Sequence, residues 1–307
     1  MRICSLLPSA TEIVFALELG DDLVGVSYAC DYPEEAASRP VVSHSLRNIK
    51  HLDSGEIDAL VQQARANNNP MYWIDEELLA RLRPDLIITQ ELCEVCAIAS
   101  GSVFETAAKV LDYQPEILTI RPMGLDDILQ NVTNVANAAG VPERGRELRR
   151  SLEARVNRVT DGVPADSQRP RVVCLDWLDP LRNTGQWLPE ISEMAGGEEG
   201  LAIPRGHSRE LSWDEVREYA PEYLMIMPCA FGPERSRQEA QDKLTVLPGW
   251  EDLPAVRDGR AFVFDGRIPS RHGPRVVDVL EGLAEVMHPG QFAGLAPQGV
   301  FDPKPFV

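Results

Sequence analysis

The chain has little that would tie it to a membrane or a nucleic acid. No stretch approaches the roughly 18 uninterrupted apolar residues of a spanning helix, and there is no low-complexity tract. Positive charge is short, with 30 Lys and Arg against 48 Asp and Glu, and the net charge of −18 argues against nucleic acid or an anionic membrane as partner. Aromatics make up 6% of the chain and histidines number five. Six cysteines (4, 30, 93, 96, 174, 229) do not form a disulfide-scaffold pattern and would be thiols in a reducing compartment. Catalytic signatures are missing as well: there is no G-x-S-x-G, no GxxxxGK[ST], and no GxGxxG after a strand. Asp176 and Asp179 form a D-x-x-D run before a proline, which reads as turn chemistry. An enzyme is unsupported.

What is present is a chain of 307 residues, 44% hydrophobic, enough for two lobes with real cores. Arg2 followed by ICSLLPSA superficially resembles a leader, but Pro8, Glu12 and Glu18 break its apolar core. The expectation is a cytoplasmic protein as encoded, or a periplasmic one if a leader was removed.

Strand and helix signals alternate through the first third of the chain. RICSLL, DLVGVSYA, PVVSHS, PDLIITQ and PEILTI read as strands. PSATEIVFALELG reads as a helix with Ser9 or Thr11 at its N-cap, and SGEIDALVQQARA as one started by Ser54. Two helical stretches then follow with no strand between them, the second running from about 141 to 162, roughly 30 Å long. Alternation resumes with RVVCLDW, EYLMIMPCA and RAFVFDG as strands. The predicted fold is α/β: two lobes with mainly parallel sheets, joined by one long helix, with a ligand cleft between them. The expected division is 1–122, a helical connection over 123–165, 166–288, and an extended tail over 289–307 packed on a surface.

Ligands in such folds sit beyond the carboxyl ends of the strands. Loops leaving those ends nominate Tyr28, Cys93, Cys96, Trp177, Trp187, Asp265 and Arg267 as ligand-binding residues, and His207 joins from the loop before a helix. The tryptophans could cover the faces of a flat macrocycle and Arg267 its polar rim. The stretch TQELCEVCA carries a C-x-x-C pair with three open readings: cleft-wall packing, a metal or corrinoid contact that includes Cys30, or a redox pair. Glu91 and Glu94 count against the redox reading, because they raise thiol pKa values.

The pieces LLPSATEIVFAL, VGVSYACDYP, LARLRPDLIIT, NTGQWLPEISEMAGGE, LSWDEVREYAPEYLMIM and GPRVVDVLEGLAEV, taken in order, resemble the substrate-binding proteins of ABC importers for cobalamin and ferric siderophores, most closely the cobalamin-binding branch. The resemblance covers about residues 2–288. It implies a binding protein for a cobalamin-like corrinoid or another metal chelate, with no required cofactor. It also implies an ABC permease as partner, docked through one acidic residue on each lobe, here Glu77 and Asp214; a first-turn acid favoured by the helix dipole is the plain alternative for both. Two features depart from the family: an extra helical insertion from about His51 to Tyr72, and LCEVC itself. A second reading is an intracellular metal- or corrinoid-handling protein (carrier, sensor or processing enzyme) that uses Cys30, Cys93 and Cys96.

Overall fold

Short runs of β-branched and aliphatic residues bounded by Gly, Pro and Asp set the strands, and helices of 3.6-residue apolar period follow most of them. The computed structural model describes residues 1–49, 51–67, 69–91, 100–164 and 169–306. In chain order the first elements are β1 (Ile3–Ser5), α1 (Pro8–Ala16), β2 (Leu23–Ser27), β3 (Val41–Ser45), α2 (Ser54–Ala66), β4 (Tyr72–Ile74), α3 (Glu76–Leu82), β5 (Leu86–Gln90), α4 (Ser100–Val110), β6 (Glu116–Ile120), α5 (Leu125–Ala138) and α6 (Pro142–Gly162). The second set is β7 (Val172–Leu178), β8 (Leu181–Asn183), α7 (Trp187–Met194), α8 (Trp213–Tyr219), β9 (Tyr223–Ile226), α9 (Pro233–Lys243), α10 (Pro254–Arg257), β10 (Ala261–Val263), α11 (Val276–Met287) and α12 (Pro289–Phe292).

Two compact units share these elements. Residues 1–52, 59–122 and 126–152 form the first; 53–58, 123–125 and 153–307 form the second. The helical connection expected over 123–165 is therefore no separate piece, and α6 is divided between the units after Leu152.

The first unit holds a six-stranded sheet in the order β4-β3-β2-β1-β5-β6, parallel except for the edge strand β4. Every residue of β5, Leu-Ile-Ile-Thr-Gln, is buried, as a strand covered on both faces must be. Cys4, Leu6, Val42, Leu79, Ile87, Val103 and Ala107 form one core layer. Helix α1 opens on Pro8, whose fixed φ suits a first helical position, and neither Ser9 nor Thr11 caps it. Thr11 instead donates to Ser5 Oγ at 2.8 Å. The start of α2 counts with the second unit, and Asp53, not Ser54, caps it: its carboxylate accepts from Glu56 N at 2.8 Å while Glu56 Oε2 accepts from Asp53 N at 3.0 Å.

The second unit holds a four-stranded sheet in the order β10-β9-β7-β8, with β8 antiparallel. Its core gathers Val173, Leu175, Leu224, Ile226, Val263, Trp250 and Phe306. The last of these comes from the chain's final segment: Phe306 is 1% exposed and meets Trp250 edge-on at 5.9 Å, while Asp302 accepts from Arg237. Burying that aromatic removes apolar area from water and fixes the segment against the unit.

Candidate functional site

In the first unit, β2 ends at Ser27 and Tyr28 follows, held by its amide donating to Ser43 O of β3 at 2.9 Å. Tyr28 is 40% exposed, and its ring stacks on Tyr72 of β4, with centroids 5.9 Å apart. Tyr72 also packs against the core layer, so the pair is anchored on one side and open on the other. Leu46, next after β3, is exposed, with its amide bonded to Met71 O. Cys30 points inward: it is 4% exposed, and its sulfur lies 3.1 Å from Thr11 Oγ1. It also sits near enough to Cys4 to add to the burial that pushes the Cys4 thiol up to about 12. Cys93 and Cys96 lie outside the described residues, and among those described no group of three or more His, Cys, Asp or Glu is placed to hold a metal ion.

In the second unit, Trp177 near the end of β7 is part-buried, its indole nitrogen donating to Asp179 O at 3.0 Å. It meets Phe231 edge-on at 5.5 Å, and the Arg235 guanidinium lies 3.5 Å above the same phenyl ring. Beyond β10, Asp265 and Arg267 form a two-toothed pair, Nε to Oδ1 at 2.8 Å and Nη2 to Oδ2 at 2.6 Å. Gly266 between them is obligatory, since a Cβ there would stand 1.9 Å from Pro228 O. Trp187 does not offer the open face expected of it. It is 4% exposed, its nitrogen donates to Pro269 O, and its ring meets buried His272 edge-on. Burial pulls that imidazole down to about 4, so it is neutral and structural. His207 is exposed, on a loop whose backbone lies against Gly185, where a side chain would strike Ser208 N.

Asp176, on β7, accepts from Ser208 Oγ at 3.3 Å, and burial, helped by the nearby Cys229 thiol, raises its pKa well above the usual carboxylate range. Tyr72, Arg235 and Asp176 escape a reading by strand-end loops, since Tyr72 lies at the end of an insertion, Arg235 is in a helix and Asp176 is inside a strand. Phe231 and Cys229, in the PCAFG loop after β9, carried the signal of a strand-end loop. Glu77 and Asp214 are both exposed and both the second residue of a seven-residue helix, α3 and α8.

Each unit thus carries an aromatic pair at a strand end, Tyr28–Tyr72 in the first and Trp177–Phe231 in the second. An uncharacterized ABC transporter substrate-binding lipoprotein, YvrC of Bacillus subtilis, is 22% identical over 302 residues, covering 95% of this chain and 81% of its own. A vitamin B12-binding protein of Vibrio vulnificus is 25% identical over 289 residues, covering 92% and 89%. Among solved structures, the periplasmic heme-binding protein RhuT from Roseiflexus superposes with a TM-score of 0.70 at 24% identity, covering 94% of this chain and 98% of that one. The expected cytoplasmic location finds no support in such relatives, named as a lipoprotein and as periplasmic; no helix among the described residues is long and apolar enough to cross a membrane. Residues 3–268 match the periplasmic binding protein family, and the chain belongs to that family of non-catalytic, substrate-binding components of ABC transporters.

Proposed function

We propose that this protein captures a cobalamin-like corrinoid for an ABC permease, using the loops at the carboxyl ends of its strands. The observation that carries the reading is the half-exposed Tyr28–Tyr72 stack, an apolar plane held open at the end of β2. Trp177, backed by Phe231, supplies a second aromatic surface in the other unit. Flat macrocycles are held by such planes, and their rims by a few polar groups. The vitamin B12-binding relatives support a corrinoid, and the heme-binding structures support a flat tetrapyrrole in general.

Charge favours the corrinoid within that class. A heme brings two propionates and a ferric catecholate siderophore a larger negative charge, and both would meet a chain of net charge −18. Arg267, the cation sequence reading assigned to the rim, already spends its fork on Asp265. A corrin rim of neutral amides asks for no such cation. Glu77 and Asp214 dock to basic residues of the permease in this reading. The intracellular metal-handling alternative gains nothing from Cys30, whose sulfur is taken up by Thr11.

Titration of the full chain with cyanocobalamin, cobinamide, hemin and a ferric catecholate tests the reading. One-to-one binding is expected for the corrinoids, and Tyr28→Ala and Tyr72→Ala should each weaken it about 5- to 150-fold, the usual cost of a buried aromatic face, while Tyr72→Phe stays near wild type. Binding of hemin or the catecholate alone, or of none of the four, would overturn it.

A further inference from the structure

Glu199 sits in the second unit, 4% exposed, two residues after the Gly196-Gly197 pair that follows α7. Its Oε1 accepts from Cys174 N of β7 at 3.2 Å and from Thr184 Oγ1 at 3.1 Å. Among the described residues its Oε2 makes no hydrogen bond of normal length and angle, and neither does the Oγ of fully buried Ser192, the α7 side chain that borders the carboxyl. The groups facing it are neutral or acidic: the Cys174 thiol and Asp176 from β7, and the Tyr219 phenol from α8. Among the described residues no cation compensates it. Arg171 is spent on Tyr219 O, Ala220 O and Glu222, and Arg182 on Glu210 and Asp58. An ionised carboxylate here would be a buried, uncompensated charge with one oxygen unsatisfied, an arrangement that costs several kcal/mol.

We propose that Glu199, Ser192 and Thr184 form an internal proton-binding site that seats the Thr184–Trp187 loop. The proton resides on Oε2 and is donated to Ser192 Oγ, so one proton satisfies both orphaned atoms. Oε1 stays free to hold Thr184, whose own amide donates to Cys174 O at 3.1 Å; two residues on, Gln186 N donates to Gly206 O. Burial pushes the Glu199 pKa from 4.5 to about 7, in keeping with this placement. The folded chain therefore holds a proton that the unfolded chain releases between pH 4.5 and about 7. The stabilisation is complete below that window and is lost as pH rises through it.

The experiment is thermal and denaturant unfolding of the full chain from pH 5 to 9, for wild type, Glu199→Gln and Asp176→Asn. Glutamine keeps an acceptor for Thr184 and a permanent donor for Ser192. The wild-type folding constant should fall on the order of 100-fold across the window, and Glu199→Gln should lose that component while Asp176→Asn keeps it. Equal pH slopes in wild type and Glu199→Gln would overturn the site. Should Glu199→Gln fail to fold, amide exchange on wild type decides. Protection at Thr184 and Gln186 must then drop between pH 5 and about 7 by more than the rise in intrinsic exchange, and unchanged protection overturns the proposal.

Discussion

Residues 74–89 and 211–226 build one module twice, with a single identical residue, Pro84 and Pro221, between them. Each is a seven-residue helix, α3 or α8, entered through an N-cap side chain (Asp75 or Ser212) and left through a left-handed residue (Arg83 at φ 43°, Ala220 at φ 49°). The proline and an acid follow, and then a parallel strand, β5 or β9. An arginine placed before the first strand of each sheet closes the helix's end. Arg2 Nε donates to Leu82 O, and Arg171 donates to Tyr219 O and Ala220 O. The acid returns the bond, Asp85 accepting from Arg2 N and Glu222 from Arg171 N. The pair teaches that what is held constant is backbone capping chemistry, not side-chain identity.

If the two modules are also equivalent in use, the acids at their matching second helical positions should serve the same partner. Glu77→Lys and Asp214→Lys together should reduce permease-dependent uptake of cyanocobalamin at least about 30-fold, the range for lost charge pairs at an interface, with the corrinoid affinity and thermal midpoint unchanged. Each single reversal should account for a comparable share. Loss from one alone would make the repeat structural and the docking one-sided.

The arginines should separate the modules next. Arg171 makes three bonds to the helix end, at 3.1, 3.0 and 2.9 Å, where Arg2 makes one at 2.7 Å. Arg171→Ala should cost about 1–2 kcal/mol and Arg2→Ala about 0.5–1, read by urea unfolding. Equal costs would mean that the acid on the backbone, not the guanidinium, closes the helix.

Much of this was legible in the residues. Apolar runs marked β1, β2, β5, β7 and β9 because buried parallel strands leave a continuous hydrophobic signature. Pro142 and the long amphipathic run marked α6. β4 and β8 were not legible. Three residues carry no period, and each strand exists only because a neighbour's edge stands open to pair with it. The repeat itself was hidden, since Asp and Ser cap alike and Arg and Ala can both adopt a left-handed turn. Of the site, Tyr28 and Trp177 stand at strand ends where topology put them. Trp187 is buried because it opens α7 against Pro269 and His272, a tertiary contact with no local signal.

The smallest difference should appear at the left-handed residues. Both Arg83 and Ala220 carry a Cβ where the helix exit favours none, and each amide makes the closing bond, to Leu79 O and to Val216 O. Ala220→Gly removes only a methyl group held at positive φ, so relief of the left-handed strain should exceed the added freedom of the unfolded chain. A gain of about 0.5–1 kcal/mol is expected. Arg83→Gly relieves the same strain but also removes the guanidinium that lies 4.7 Å over the Tyr113 ring and pairs with Asp112 at 2.8 Å. Those exposed contacts are together worth about as much as the relief, so the net change should fall within about 0.5 kcal/mol of zero. Unfolding midpoints of the two variants decide it. A gain at Arg83 equal to that at Ala220 would show that its ring and ion-pair contacts contribute nothing, and that the modules differ in sequence without differing in energy.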